Sequence, residues 1–259
     1  MRITIVTQEE PFYLPPALNM LCQRRSVNIN GMIILPAFNE PLRETAGRLY
    51  EFYGPWDFLR LGLRFCYAKA ADRVNGTAPI TRPYSARDVA LRHQIPIYEP
   101  ENVNASSFVQ TLEDELVPDL LVSVAASQIF KRPVLEIPRH GCINLHSAPL
   151  PRYQGMMPNF WTMVHQEPQG TVTIHYMVEK LDAGDMILQR PVPIEPNDSL
   201  HDLMVRSKVI GIEALDEAID QIAAGTVRPK PLDPAQATYF SFPKREDAIR
   251  LRALGRRLL

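Results

Sequence analysis

Two polar side chains close an apolar run in GCINLH, residues 141–146. Asn144 and His146 stand two residues apart, with Ile143 and Leu145 interleaved. Alternate side chains of a strand share a face, so the amide and the imidazole point one way while Ile143 and Leu145 point into packing. Further along, IHYMVEKLDAGD places His175 seven residues before Asp182, which sits in a Gly-containing turn. An amide N–H and a protonated imidazole can donate to an oxygen that becomes negative in a tetrahedral intermediate. A carboxylate can hold the imidazole or relay a proton, directly or through water. Together these groups suit acyl transfer to an amine, a reaction that needs no serine or cysteine nucleophile. Taken singly, each has a structural reading: hydrogen-bonded strand-end residues for Asn144 and His146, a turn or cap for Asp182, a satisfied core histidine for His175. The six histidines form no H-x-x-x-H or H-E-x-x-H pair, so no metal site is expected.

The elements that must position these groups alternate along the chain. RITIVT (2–7) and VNINGMIILP (27–36) read as strands, separated by a helix that starts at Pro15 and Pro16, where a missing N–H costs nothing. PLRETAGRLYEFYG and PWDFLRLGLRFCYAK read as helices, the second with Trp56, Leu59, Leu63 and Cys66 on one face. SARDVALRHQ opens with Ser85 and Asp88 near capping-box spacing, and IPIYEP is a short strand. NASSFVQTLEDELVP reads as a helix capped by Asn104, with Phe108 and Leu112 inward. DLLVSVAASQI (119–129) and GCINLH are strands, MPNFWTMVHQ a helix, GTVTIHYMV and DMILQRPVPI strands, and 199–225 one long amphipathic helix. The pattern implies an α/β, Rossmann-like, mostly parallel sheet with helices on both faces and a short C-terminal extension. The expected division is a catalytic domain at 1–195, then the long helix and extension at 196–259. In such sheets ligands lie beyond the carboxyl ends of the strands, where GCINLH ends. No G-x-G-x-x-G or G-x-x-x-x-G-K-[ST] is present, which argues against dinucleotide oxidoreductases and P-loop nucleotidases.

The 259 residues are 46% hydrophobic and 22% charged, the composition of a globular protein able to bury a core, and their formal net charge is −1. That leaves no global basic field for a polyanion, so nucleic acid is not the expected partner, despite a basic tail, KREDAIRLRALGRRLL. Three widely spaced cysteines (Cys22, Cys66, Cys142) make no C-x-x-C pair and fit a reducing cytoplasm. MRITIVTQEE has no signal-peptide pattern, and the longest apolar runs are too short to span a bilayer.

The stretch 119–194 resembles the folate-dependent formyltransferases. Their hallmark is N-x-H, then a loop with L-P and a Gly, then H-x(6)-D-x-G, here NLHSAPLPRYQG and HYMVEKLDAG. The resemblance implies a formyl transfer from 10-formyltetrahydrofolate to an amine, with Asn144, His146 and Asp182 catalytic and His175 supporting the aspartate. It implies a folate site around Val122, Ser123, Ala125, Gln128, Ile129 and Asp182. Substrate-side candidates are Phe12, Tyr13, Ser147, Arg152, Tyr153 and Trp161; aromatics among them would stack on a base or sugar, or else are core and rim residues.

Within the family, the loop TQEEPFYLPPA after the first strand has two acids and no glycine, unlike the phosphate loop of glycinamide ribonucleotide formyltransferase. Methionyl-tRNA formyltransferase continues into a C-terminal barrel, for which few residues follow the long helix here, and would want phosphate-neutralising charge. The ending TYFSFPKREDAIRLRALGRRLL looks like that of the sugar N-formyltransferases. The expected acceptor is therefore an amino group on a nucleotide-linked sugar, and the expected assembly a homodimer. The tRNA and glycinamide ribonucleotide activities, formyltetrahydrofolate hydrolysis and a non-catalytic folate binder are the alternatives.

Overall fold

β-Branched residues dominate Ile3–Val6 and Ile33–Ile34, and these two runs form buried strands at the middle of one sheet. The computed structural model describes residues 1–37, 42–76 and 82–259. Its elements run β1 (Ile3–Gln8), α1 (Leu14–Arg25), β2 (Ile29–Leu35), α2 (Leu42–Asn75), α3 (Ala86–Arg92), β3 (Ile97–Tyr98), α4 (Ser106–Thr111) and β4 (Leu120–Ser123). They continue α5 (Arg132–Leu135), β5 (Cys142–His146), β6 (Gln154–Gly155), α6 (Pro158–Val164), β7 (Gln169–Tyr176), β8 (Met186–Pro193), α7 (Leu200–Ala223), β9 (Tyr239–Phe240) and α8 (Arg245–Ala253).

Among the described residues, seven strands form one sheet in the order β3-β2-β1-β4-β5-β7-β8. The first five are parallel, and β7 runs antiparallel to both its neighbours. The chain winds outward from β1 in one direction and from β4 in the other. Their adjacent carboxyl ends, at Gln8 and Ser123, therefore mark the switch point where a ligand crevice opens. The second sheet pairs β6 with β9 and ties the C-terminal segment to the loop after β5.

Two helices, α1 and α7, pack on each other beside that sheet. α1 starts where the Glu10 carboxylate accepts the backbone N–H groups of Phe12 (2.7 Å), Tyr13 (2.7 Å) and Leu14 (3.1 Å), satisfying donors that the first helical turn leaves orphaned. α7 begins in a capping box between Ser199 and Asp202 and buries Leu203, Ser207, Gly211, Ala214 and Leu215 at helical spacing.

Three expectations need correction. The strand expected over 119–129 ends at Ser123, because the backbone turns through a left-handed conformation at Ala125 (φ 58°) and leaves the sheet. Asn104 does not cap α4; its amide donates to Ile129 O (2.9 Å) and accepts from Lys131 N (2.7 Å), pinning the loop that follows β4. Trp56, Leu59 and Leu63 do share a stripe, but they are 78%, 53% and 64% exposed, and Cys66 is exposed too. Gly54 (φ 72°), followed by Pro55, breaks α2 there, and the second half carries its apolar stripe outward. Pro41, the first residue of that expected helical segment, lies outside the described residues.

Candidate active site

β5 delivers Asn144 and His146 to the crevice, and antiparallel β7 sets His175 directly opposite Asn144. Across that pair, Asn144 Nδ2 lies 3.2 Å from His175 Nε2, while His175 Nδ1 is 2.8 Å from the carbonyl of Tyr176. A carbonyl only accepts, so Nδ1 carries the proton and Nε2 accepts from the Asn144 amide. Burial holds the His175 imidazole down to about 4, with the Asp182 charge opposing and His146 adding to the depression. A neutral His175 thus orients Asn144 and leaves its second N–H for a ligand.

His146 is fixed in the same way. Its Nε2 donates to Tyr153 O at 2.8 Å, which turns Nδ1 toward Asp182 Oδ2, 3.7 Å away. That separation exceeds a hydrogen bond and suits an ion pair when the ring is charged. Asp182 reaches the site from the β7–β8 turn in a left-handed conformation (φ 50°), and its Oδ2 accepts from Gly155 N at 3.0 Å. Gln154 donates to the Asp182 carbonyl at 3.0 Å. Asp182 Oδ1 stands 3.8 Å from His175 Nε2. The structure therefore brings Asn144, His146, His175 and Asp182 together from two separate segments. His175 hydrogen-bonds the amide, whereas the expectation linked it to the aspartate.

All four line one cavity of about 350 Å³, within the size range of small-molecule sites. Of the residues named for the folate and substrate sides, Ser123, Ala125, Gln128, Ile129 and Ser147 also line it. Val122 does not: it is fully buried in the sheet, on the face opposite to that of its neighbour Ser123, which lines the cavity. Ala125, Met157 and Asp182 line the cavity with positive φ, and Tyr153, whose carbonyl holds His146, shares that conformation (φ 60°). Strained backbone of this kind collects where a site must be shaped.

The other substrate-side residues do not line this cavity. Phe12 and Tyr13 line a second cavity of about 410 Å³, and Tyr13 Oη lies 3.0 Å from His201 Nδ1. Arg152 and the Tyr153 hydroxyl both bind Glu167 (2.7 Å each). Tyr153 and Trp161 stack on Phe240, and Trp161 Nε1 donates to Ser241 O at 3.1 Å. These aromatics anchor the C-terminal segment. Sequence reading missed Gln8, Asn159, Met204, Lys208 and Phe242, which also line the cavity. Met204 and Lys208 are one turn apart on α7 beside its buried stripe, and a lysine at that spacing is the signal that was available. Among the described residues no cluster of His, Cys, Asp and Glu could hold a metal, and no helix is long and apolar enough to cross a membrane.

The profile of the formyl transferase family matches residues 68–219. The methionyl-tRNA formyltransferases of Geobacter metallireducens and Bacillus subtilis are 37% and 36% identical over 178 residues, which is 69% of this chain and 57% and 56% of theirs. The chain spans a little over half the length of the curated relatives it matches. Among solved structures, the N-formyltransferase of Helicobacter canadensis, in complex with folinic acid and dTDP-3-aminofucose, superposes with a TM-score of 0.59 at 16% identity over 97% of this chain and 80% of that one. Phosphoribosylglycinamide formyltransferase of Anaplasma phagocytophilum gives 0.62 at 15% over 94% and 99%. At those identities the likeness is one of fold. A family profile covering more than half of the residues, with relatives 37% identical over 69% of the chain, leads to one statement: the chain belongs to the formyl transferase family.

Proposed function

We propose that this cavity transfers a formyl group from 10-formyltetrahydrofolate to the amine of an acceptor. The observation that carries the reading is the meeting of Asn144, His146 and Asp182 around one opening, each with its orientation held by a second group. The free N–H of Asn144 and the Nδ1–H of a charged His146 would donate to the formyl oxygen as the amine nitrogen bonds to the formyl carbon. Asp182 would take the proton that the attacking nitrogen sheds. As the bond to folate N10 breaks, that proton passes to N10, directly or through water, so formamide and tetrahydrofolate leave together. Ile129, Phe130, Met177, Val178 and Leu181 line the cavity with apolar surface suited to a flat pterin.

For the acceptor we favour a nucleotide-linked amino sugar, supported by a net charge of −1, which offers little attraction to a polyanion. The second reading, a methionyl-tRNA acceptor, is favoured by the 37% identity to such an enzyme. A homodimer belongs to the first reading and is read by sedimentation velocity. The test incubates the protein with 10-formyltetrahydrofolate and dTDP-3-aminofucose, methionyl-tRNA or glycinamide ribonucleotide in turn. One formamide per tetrahydrofolate, formed only with an amine present, is the expected result. Formate released without any amine would replace transfer by hydrolysis.

A further inference from the structure

Two polar groups of the cavity are not used by the chemistry above. Gln8 ends β1, and its Oε1 is buried without a hydrogen-bond partner. Lys208 comes from α7, and among the described residues no carboxylate lies within ion-pair distance of it. Neither is bonded to Asn144, His146 or Asp182. A buried acceptor without a donor is rare in a finished fold unless a ligand or water supplies the donor. An ammonium in a largely apolar wall asks for an anion.

Their position says which ligand. Gln8 lies on β1, and β4 separates that strand from β5, which carries Asn144 and His146. At roughly 4.8 Å per strand, the two groups sit about 10 Å apart along the sheet edge. That is the span of a sugar ring with its next substituent, for a ligand whose amine is at His146. The apolar wall assigned above to the pterin comes from the loops after β4 and β7, leaving the β1 and α7 side for the other substrate.

Building on the formyl-transfer reading, we propose that Gln8 and Lys208 form the acceptor wall, and that Lys208 selects amines carrying an anionic group, a phosphate or a carboxylate. Gln8 Oε1 accepts from an acceptor hydroxyl or N–H. Glu10 cannot substitute for the ligand's anion. Its carboxylate is already occupied by three backbone N–H groups at the start of α1. Burial pushes the Lys208 ammonium down, with Glu10 opposing, so a bound anion restores the charge that the wall disfavours.

The test compares the full-length protein with Lys208→Met and Gln8→Met. Calorimetry with inorganic pyrophosphate, methionine, dTDP-3-aminofucose and 3-aminofucose, which lacks the diphosphate, reads binding without turnover, so it decides even if no amine is formylated. The preference for dTDP-3-aminofucose over 3-aminofucose should fall at least about tenfold in Lys208→Met, read as Kd by calorimetry and, where turnover is seen, in KM more than in kcat, while folinic acid binds as before. Stronger binding of pyrophosphate than of methionine would assign the anion as phosphate, and the reverse as carboxylate. An unchanged preference, or weakened folinic acid binding in its place, would overturn the proposal. Gln8→Met removes the orphaned oxygen, so the ligand-free Tm should rise by about 2–4 °C while acceptor affinity drops. A lower Tm would show that Gln8 serves the fold. Formate release without an amine would sink formyl transfer alone, leaving the anion preference to be judged by binding.

Discussion

At the scale of single residues, the site works by fixing polar groups from behind. His175 orients Asn144, the Tyr153 carbonyl orients His146, and Gly155 N–H orients Asp182. Asn144→Ala, His146→Ala or Asp182→Asn should each lower kcat by at least about a hundredfold, a loss usual for one oxyanion donor, with melting temperature little changed. Asp182→Asn is the cleanest of these, since asparagine tolerates the left-handed backbone that position requires. His175 makes a different prediction. Its folded value of about 4 lies below the ordinary 6.5, so between those values the unfolded chain binds a proton that the folded one refuses. Stability is full above pH 6.5 and falls as pH drops toward 4, by about 3 kcal/mol. Urea melts of His175→Gln against the parent over pH 4–7 should show the variant with the flatter profile. The meeting of Asn144, His146 and Asp182 was legible because each stands in a motif. The roles of Tyr153 and Trp161 were not, since an aromatic that packs on Phe240 reads the same in sequence as one that stacks on a ligand.

At the scale of elements, turns carry the precision. The β7–β8 turn holds Asp182, and Gly184 two residues on approaches the backbone of Tyr176 so closely that a Cβ would collide with its carbonyl. Gly155 (φ 96°) meets Phe240 O in the same way, where β6 pairs with β9. Gly184→Ala should therefore displace the turn and cut activity more than tenfold, alongside a drop in melting temperature seen by circular dichroism. Thr173 reinforces the loop after β5, donating to Ala148 O at 2.6 Å and accepting from Leu150 N at 3.3 Å, and Thr238 accepts from Tyr153 N at 2.9 Å. The alternation of strands and helices was legible from period and from the prolines that open helices. The length of β4 was not, because VAAS is as apolar beyond the sheet as within it. Nor was the outward stripe of α2, since a 3,4 spacing says which residues share a face but not what the face meets.

At the scale of the whole molecule, charge separates the two acceptors. A polyanion held by many phosphate contacts loses about 10³–10⁵ in affinity between 50 and 200 mM salt, whereas a nucleotide-linked sugar held at one ammonium loses roughly tenfold or less. The acceptor KM should therefore rise only modestly over that range, and a steep rise would return the reading to tRNA. The fold class and the crevice at the strand ends followed from topology rules. The β1 and α7 side of that crevice was hidden, because Gln8 and Lys208 come from distant segments with no motif to join them.

The central claim is spatial: the formyl oxygen of the donor is held by Asn144 and His146. A crystal structure with 10-formyltetrahydrofolate and no acceptor amine, so that the formyl group has no nitrogen to move to, tests it most directly. The formyl oxygen is expected about 2.7–3.1 Å from Asn144 Nδ2 and His146 Nδ1, with Asp182 beside them. A formyl group lying beyond hydrogen-bond reach of both side chains would contradict the account.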